Sequence, residues 1–264
     1  MKKKIIIITS NALRHQFFSE QICRKFDVKE VFIEGDFTKN NYFNSFSDDI
    51  VKRHFELRHN SELDFFFDNY DLLYTKSIIV EKGYVSTASF LKRLKKVQPE
   101  LIVTYGCSII RGPILDIFKD KIINIHLGIS PYYKGSGTNF HALVNNDFKY
   151  FGYSIIFMNE KIDDGEIIHQ RQADYFEHDT PHTLGNRLIK KMTFDTIKLI
   201  ENFNRITRKK SPSNLIREKI YKRIDSNEKT VSKLYIDFNK NLKYYLKTDK
   251  KDRKIKLITQ RFIR

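Results

Sequence analysis

The chain has 264 residues, 41% of them hydrophobic and 14% aromatic, enough to build the core of one large domain and to exclude wholesale disorder. Its formal charge is +16, yet residues 205–264 hold 20 basic and 6 acidic side chains, so nearly all of the excess sits in the last quarter. The longest early apolar run, Ile5 to Ile8, falls far short of a membrane span and no signal-peptide core follows, so the expectation is a cytoplasmic protein with no membrane partner.

Cys23 and Cys107 have no metal-ligand spacing and cannot form a disulfide framework, which fits a reducing compartment. The local +14 has two readings: a polyanionic partner, or the Lys- and Asn-rich composition of a whole genome.

In chain order, the β-branched run Ile5 to Ile8 reads as a strand, Thr9-Ser10-Asn11 as a turn, and Ala12 to Phe26 as a helix carrying Leu13, Phe17, Ile22 and Phe26. Val28 to Ile33 makes a second strand, so the opening is a βαβ unit and its sheet is parallel. Residues 45–70 have helical spacing. Ala88 to Val97 is a basic amphipathic helix stopped by Pro99, and it feeds the strand Leu101 to Tyr105. A short βα step follows at Pro113 to Phe118.

Lys121 to His126 is the next strand, followed by a Gly-rich loop from Leu127 to Gly137 and a short helix at Thr138 to Val144. Tyr153 to Met158 and Glu166 to Gln172 are strands, and a long helix runs from Thr180 to about Phe203 with Thr180 as N-cap and Pro181 at its first position. The pattern predicts an α/β, Rossmann-like domain over residues 1–204 with a mixed, mostly parallel sheet whose ligands bind beyond the carboxyl ends of the strands. Beyond it, residues 205–264 read as a short, basic, helical C-terminal extension that begins in earnest after Ser211-Pro212-Ser213.

No phosphate loop is present and no Gly-x-Gly-x-x-Gly follows the first strand, so the usual nucleotide fingerprints fail. His54 and His59 would lie about 140° apart on a helix, which excludes a shared metal site there. The informative stretch is Asn124-Ile125-His126 at a strand's carboxyl end. Alternation sends the amide and the imidazole to one face and Ile123, Ile125 and Leu127 to the other. Asp163-Asp164-Gly165 then offers a carboxylate at a turn between two strands. Asn, His and Asp without an adjacent Ser or Cys suit transfer of an activated acyl group to an amine, with the substrate as nucleophile.

Asn124-x-His126, the loop Ser130-Pro131-Tyr132-Tyr133-Lys134-Gly135 and Asp163-Asp164-Gly165 together resemble the formyltransferases that use 10-formyltetrahydrofolate. The resemblance covers residues 70–200 well and 1–40 more loosely. It implies that Asn124 and His126 stabilise the oxyanion and that Asp163 positions or relays a proton. It further implies that the segment Tyr105 to Ile110, with Ser108, Ile109 and Ile110, receives the pterin alongside Asp163, and that no metal is required. Ser10, Asn11 and Arg14, beside His15, form a polar cluster suited to a substrate phosphate, and Lys134 and Asn139 line the Gly-rich loop as further substrate contacts. His141 is expected to pack against that loop and His182 to act in helix capping.

For the acceptor, methionyl-tRNA formyltransferases add a barrel-like second domain, whereas the 60 residues from 205 on read as helical. The loop Tyr132 to Asn139 and the stretch Asp179 to Thr183 look most like enzymes acting on nucleotide-linked amino sugars, which makes such a sugar the expected small-molecule partner. Methionyl-tRNA is the alternative acceptor, water (as in a formyltetrahydrofolate deformylase) another, and a non-enzymatic nucleic-acid binder the reading from a different class. A second copy of the chain, forming a homodimer, is a candidate partner.

Overall fold

The computed structural model describes residues 3–35, 49–68, 70–210 and 219–263. The expected boundary at Ser211-Pro212-Ser213 and the start of the 45–70 segment lie outside the described residues. Seven strands form one sheet in the order β3-β2-β1-β4-β5-β7-β8. They are β1 (Ile5–Ser10), β2 (Val28–Glu34), β3 (Ser77–Val80), β4 (Leu101–Tyr105), β5 (Ile122–His126), β7 (Gly152–Phe157) and β8 (Ile167–Gln172). The first five are parallel; β7 runs antiparallel to β5, and β8 antiparallel to β7. The mixed, mostly parallel sheet therefore stands as read from the sequence.

Central strands of such a sheet are covered on both sides and need continuous apolar runs rather than alternation. All five residues of β4 are buried. Ile5 and Ile7 of β1 face one core, shared with α1 (Leu13–Lys25) and α7 (Pro181–Glu201), while Ile6 and Ile8 face a second core under α4 (Ala88–Val97). Thr180 caps α7 by accepting from Thr183 N at 3.1 Å, with Pro181 in the first turn, as the sequence indicated.

α2 (Asp49–Phe66) packs on α7. The α3 (Asp71–Lys76) to β3 step, a helical turn of six residues and a strand of four, is an element that periodicity did not reveal. The remaining described helices are α5 (Ile114–Ile117), α6 (Thr138–Val144) and α8 (Glu228–Lys247). None of the described helices is long and apolar enough to cross a membrane.

Apolar residues of the basic C-terminal segment belong to the same core as the sheet. Val231, Leu234, Phe238 and Leu242 recur at helical spacing on α8 and are at most 4% exposed. Leu234, Phe238 and Leu242 join Leu184 and Ile200 of α7 in one cluster, as do Tyr221 and Ile263. Burying a Leu or Phe side chain contributes about 1.5–3 kcal/mol, so this segment stabilises the fold it closes. Gln260, 3% exposed, bridges Ile168 O and Thr207 O at 2.6 Å each and pins the chain's end against β8. A further two-residue strand pair, β6 (Lys134–Gly135) with β9 (Ile220–Tyr221), joins the C-terminal segment to the Gly-rich loop.

Candidate active site

β1 leads on to β2 and β3 at one side of the sheet, while β4 and β5 lie at the other, so the carboxyl ends of β1 and β4 diverge and leave a crevice. A cleft of about 950 Å³ opens there, lined by Ser10 from β1, Tyr105 from β4, and Asn124 and His126 from β5. That volume is within the range of small-molecule sites.

Asn124, His126 and Asp163 converge in this cleft. Thr104 Oγ1 donates to Asn124 Oδ1 at 2.9 Å, which fixes the amide with its nitrogen turned to Asp163 Oδ1, 3.1 Å away. His126, 6% exposed, sets Nδ1 3.3 Å from Asp163 Oδ2 and Nε2 2.8 Å from Tyr133 O. Both ring nitrogens thus face acceptors, and a neutral imidazole has only one N–H to give.

Backbone geometry aims the carboxylate. Asp163 sits at φ 49° in a left-handed turn, and Gly135 N donates to its Oδ2 at 2.8 Å. Two residues on, a Cβ at Gly165 would stand 1.6 Å from Phe157 O, so the turn closes onto β7 only with glycine there. Asp164 points elsewhere, onto the buried Lys134 ammonium.

Ser108, Ile109 and Ile110 line the cleft beyond β4. Their segment is held by Glu34, the last residue of β2. Glu34 is 4% exposed and accepts from Ser108 N at 2.6 Å, Ser108 Oγ at 2.8 Å and Gly83 N at 2.8 Å. Burial, reinforced by the Glu34 charge, raises the Cys107 thiol to about 12, so it stays protonated and is a poor nucleophile. With apolar Ile110, Ile156 and Met158 among its walls, this side of the cleft suits a flat heterocycle read by backbone. The residues present thus fit a reduced pterin.

Of the five residues read as substrate contacts, Ser10, Arg14 and Asn139 line the cleft and Asn11 and Lys134 do not. Asn11 is exposed at the start of α1, and its carbonyl accepts from Gln16 Nε2 at 2.7 Å. Lys134 is 5% exposed and committed to Asp164. Asn139 spends both ends of its amide on Gly152, donating to O at 2.8 Å and accepting from N at 3.0 Å, which makes it a clamp between α6 and β7. Arg14 bonds the buried Glu62 carboxylate, and the Ser10 hydroxyl bonds His15 Nδ1. Burial, then the nearby Arg14, lowers His15 well below its usual value, so that ring is neutral.

The histidines of the opposite wall are structural in their contacts. Tyr235 of α8 places its hydroxyl 2.9 Å from His54 Nδ1 and 3.0 Å from His182 Nε2, tying α2, α7 and α8 together. His182 therefore meets a side chain of α8, while capping falls to Thr180 and Thr183. His141, expected to pack against the Gly-rich loop, is stacked instead on Tyr221 of β9, with centroids 4.2 Å apart. Sequence reasoning missed the wall formed by Tyr221, Lys222, Arg223 and Ser226 altogether. Its only sequence signal is a single aromatic residue in a basic run.

The formyl transferase family model matches residues 46–196, more than half of the chain. Among curated proteins, the methionyl-tRNA formyltransferase of Buchnera aphidicola subsp. Acyrthosiphon pisum is 31% identical over 151 residues, 55% of this chain and 48% of its own length. The chain spans between 32% and 48% of the length of the first such relatives it matches. Among solved structures, a sugar N-formyltransferase from Shewanella sp FDAARGOS_354 aligns at TM-score 0.55 and 19% identity, over 84% of this chain and 78% of its own. Phosphoribosylglycinamide formyltransferase from Streptococcus pneumoniae TIGR4 aligns at TM-score 0.54 and 19% identity, over 77% and 99%. At such identities these two likenesses are of fold.

Proposed function

The chain belongs to the formyl transferase family, and on that footing we propose that it is an N-formyltransferase that moves the formyl group of 10-formyltetrahydrofolate onto the amino group of a nucleotide-linked amino sugar. The observation that carries this reading is the convergence of Asn124, His126 and Asp163 in a cleft whose one cysteine, Cys107, is held protonated. A cleft whose thiol is held protonated, with an amide, an imidazole and a carboxylate converging beside it, suits direct attack by the substrate.

In this reading the acceptor nitrogen attacks the formyl carbon, and the carbonyl electron pair moves onto oxygen. Asn124 Nδ2, with a second N–H beyond the one given to Asp163, stabilises that oxyanion, a contribution of about 2.7–4 kcal/mol per donor in comparable sites, and His126 joins it through the Nε2 that substrate draws away from Tyr133 O. Asp163, bridging both residues, orients the imidazole and the amide. As the intermediate collapses, the bond from carbon to the folate nitrogen breaks, and the proton lost by the acceptor amine ends on that nitrogen. Asp163 is the carboxylate placed to pass it, directly or through water. The segment Ser108 to Ile110, braced by Glu34, holds the pterin, and Ser10 and Arg14 line the same cleft.

An amino-sugar nucleotide is favoured by the C-terminal segment, which is folded into the core and supplies part of the cleft wall. Methionyl-tRNA is the competing acceptor, supported by the names of the curated relatives and by the basic C-terminal residues. The test is release of tetrahydrofolate, followed by absorbance, with a panel of nucleotide-linked amino sugars, methionyl-tRNA and buffer alone. Turnover is expected only with one or more sugars. Turnover with methionyl-tRNA alone reassigns the acceptor, and equal turnover in buffer makes the protein a hydrolase.

A further inference from the structure

The Gly-rich loop is roofed by chain from outside the region that the family model matches. Residues 46–196 carry the family match, whereas Tyr221, Lys222, Arg223 and Ser226 line the same cleft as Asn124 and His126. Their placement is fixed by backbone and ring contacts together. Tyr221 O accepts from Ser136 N at 2.8 Å, and β9 pairs in parallel register with β6, Tyr221 opposite Gly135. Gly135 has φ +95°, and a Cβ there would stand 2.1 Å from Tyr221 O, so the approach requires glycine.

The Tyr221 ring lies between His141, 4.2 Å away, and Tyr133, 5.6 Å away at an interplanar angle of 7°. Its hydroxyl accepts from Asn145 Nδ2 at 2.8 Å. Lys222 and Arg223 emerge directly from this anchor. The acidic neighbour Asp225 turns its carboxylate back onto Lys222 N, 2.7 Å away, and its pKa is lowered chiefly by that backbone hydrogen bond, so it stays ionised without closing the cleft.

The direction from which these cations enter the site is also set. Asp163 divides the cleft: its Oδ1 faces Asn124, which leans on Thr104 of β4, and its Oδ2 receives Gly135 N. Ser108 to Ile110 lie beyond β4, on the Thr104 side. Lys222 and Arg223 lie on the Gly135 side, so the reacting groups stand between the pterin segment and this basic wall. Cationic donors make the short, strong hydrogen bonds that suit a bound nucleoside diphosphate. Lys134, the cation that the loop itself carries, is committed to Asp164.

We propose that Lys222 and Arg223, presented by the Tyr221 anchor, bind the diphosphate of the acceptor and so set which amines this enzyme formylates. The inference rests on the proposed formyl transfer to a nucleotide-linked sugar and assigns its anion subsite to the C-terminal segment. Part of the chain's positive charge thereby has a ligand at the active site.

The test is calorimetric titration of the full-length protein, and of the Lys222→Ala/Arg223→Ala double variant, with thymidine, uridine and guanosine diphosphates in turn. 5-Formyltetrahydrofolate serves as a second probe of the same samples. The expected result is at least a tenfold loss of diphosphate affinity in the double variant, folate affinity within twofold of the parent, and an unchanged melting temperature, since both side chains are exposed. The Lys222→Glu/Arg223→Glu variant should lose more, and the parent's affinity should fall with added salt. Equal diphosphate binding by parent and double variant overturns the inference while leaving formyl transfer standing. Loss of folate rather than diphosphate binding overturns it in favour of a site for the folate's carboxylates. Failure of the parent to bind any of the three diphosphates while it binds folate removes both this subsite and the nucleotide-linked acceptor.

Discussion

Thr104 and Asn124 are register partners on adjacent parallel strands, and the Thr104 hydroxyl reaches across to Asn124 Oδ1 at 2.9 Å. An asparagine amide can present either end to the cleft; the Asp163 carboxylate, which only accepts, draws Nδ2, and the Thr104 hydroxyl braces Oδ1 in that orientation. Replacing Thr104, fully buried, by the near-isosteric Val removes the donor and leaves the shape. Turnover should fall about 5–30-fold, the equivalent of roughly 1–2 kcal/mol, with KM for either substrate within about twofold. Thr104→Ser should restore most of the rate. A change in KM with turnover intact would mean that Thr104 shapes the binding surface rather than aiming Asn124.

Removal of the reacting groups should cost more. Asn124→Ala, His126→Ala and Asp163→Ala are each expected to lower turnover by about 10² or more while the protein remains folded by circular dichroism. Asp164→Ala should behave differently: it deprives the buried Lys134 ammonium of its carboxylate, so the melting temperature drops while turnover falls less than tenfold. If the two aspartates exchange these phenotypes, the reactive carboxylate is Asp164.

The C-terminal segment should prove indispensable to folding. A chain ending at residue 210 exposes the core positions packed against Leu234, Phe238, Leu242 and Tyr221, at about 1.5–3 kcal/mol for each lost side chain. It is expected to be insoluble or molten, with lost near-ultraviolet dichroism. A soluble, cooperatively melting truncation would make residues 219–263 an appendage.

Acid should destabilise the fold through its buried histidines. Burial lowers His54 to about 3 and His182 and His169 to about 4, against 6.5 for the free side chain. Between those values the unfolded chain takes up protons that the folded one does not, so stability rises with pH there. It is fully present above about 6.5 and is lost as pH falls toward 4, with a slope of at most about 1.4 kcal/mol per pH unit for each histidine. Urea midpoints measured from pH 7.5 down to 5 should decline steadily. A flat profile would show that these rings carry their protons in the folded state.

What was legible in the sequence follows from range. Strand alternation placed Asn124 and His126 on one face because that rule involves only neighbouring residues, and Thr180-Pro181 announced a helix start for the same reason. Glu34, Thr104 and Tyr221 act through partners 74, 20 and 86 residues away, at Ser108, Asn124 and Gly135, so each looked locally like a turn, a strand filler and a stray aromatic. Asn139 and Lys134 were read as substrate contacts, but their use was decided by Gly152 and Asp164, which only the folded chain brings within reach. Val231, Leu234, Phe238 and Leu242 did carry a readable helical stripe, masked by the lysines between them.

The most direct test follows a radiolabelled formyl group from 10-formyltetrahydrofolate in a single turnover, with nucleotide-linked amino sugars, methionyl-tRNA and water all present. The label is expected in an amide of the sugar at a rate that Asn124→Ala lowers by about 10² or more. Label appearing in formate or on methionyl-tRNA, or at an equal rate in the Asn124→Ala variant, would contradict the assignment of this cluster to formyl transfer onto a nucleotide-linked amine.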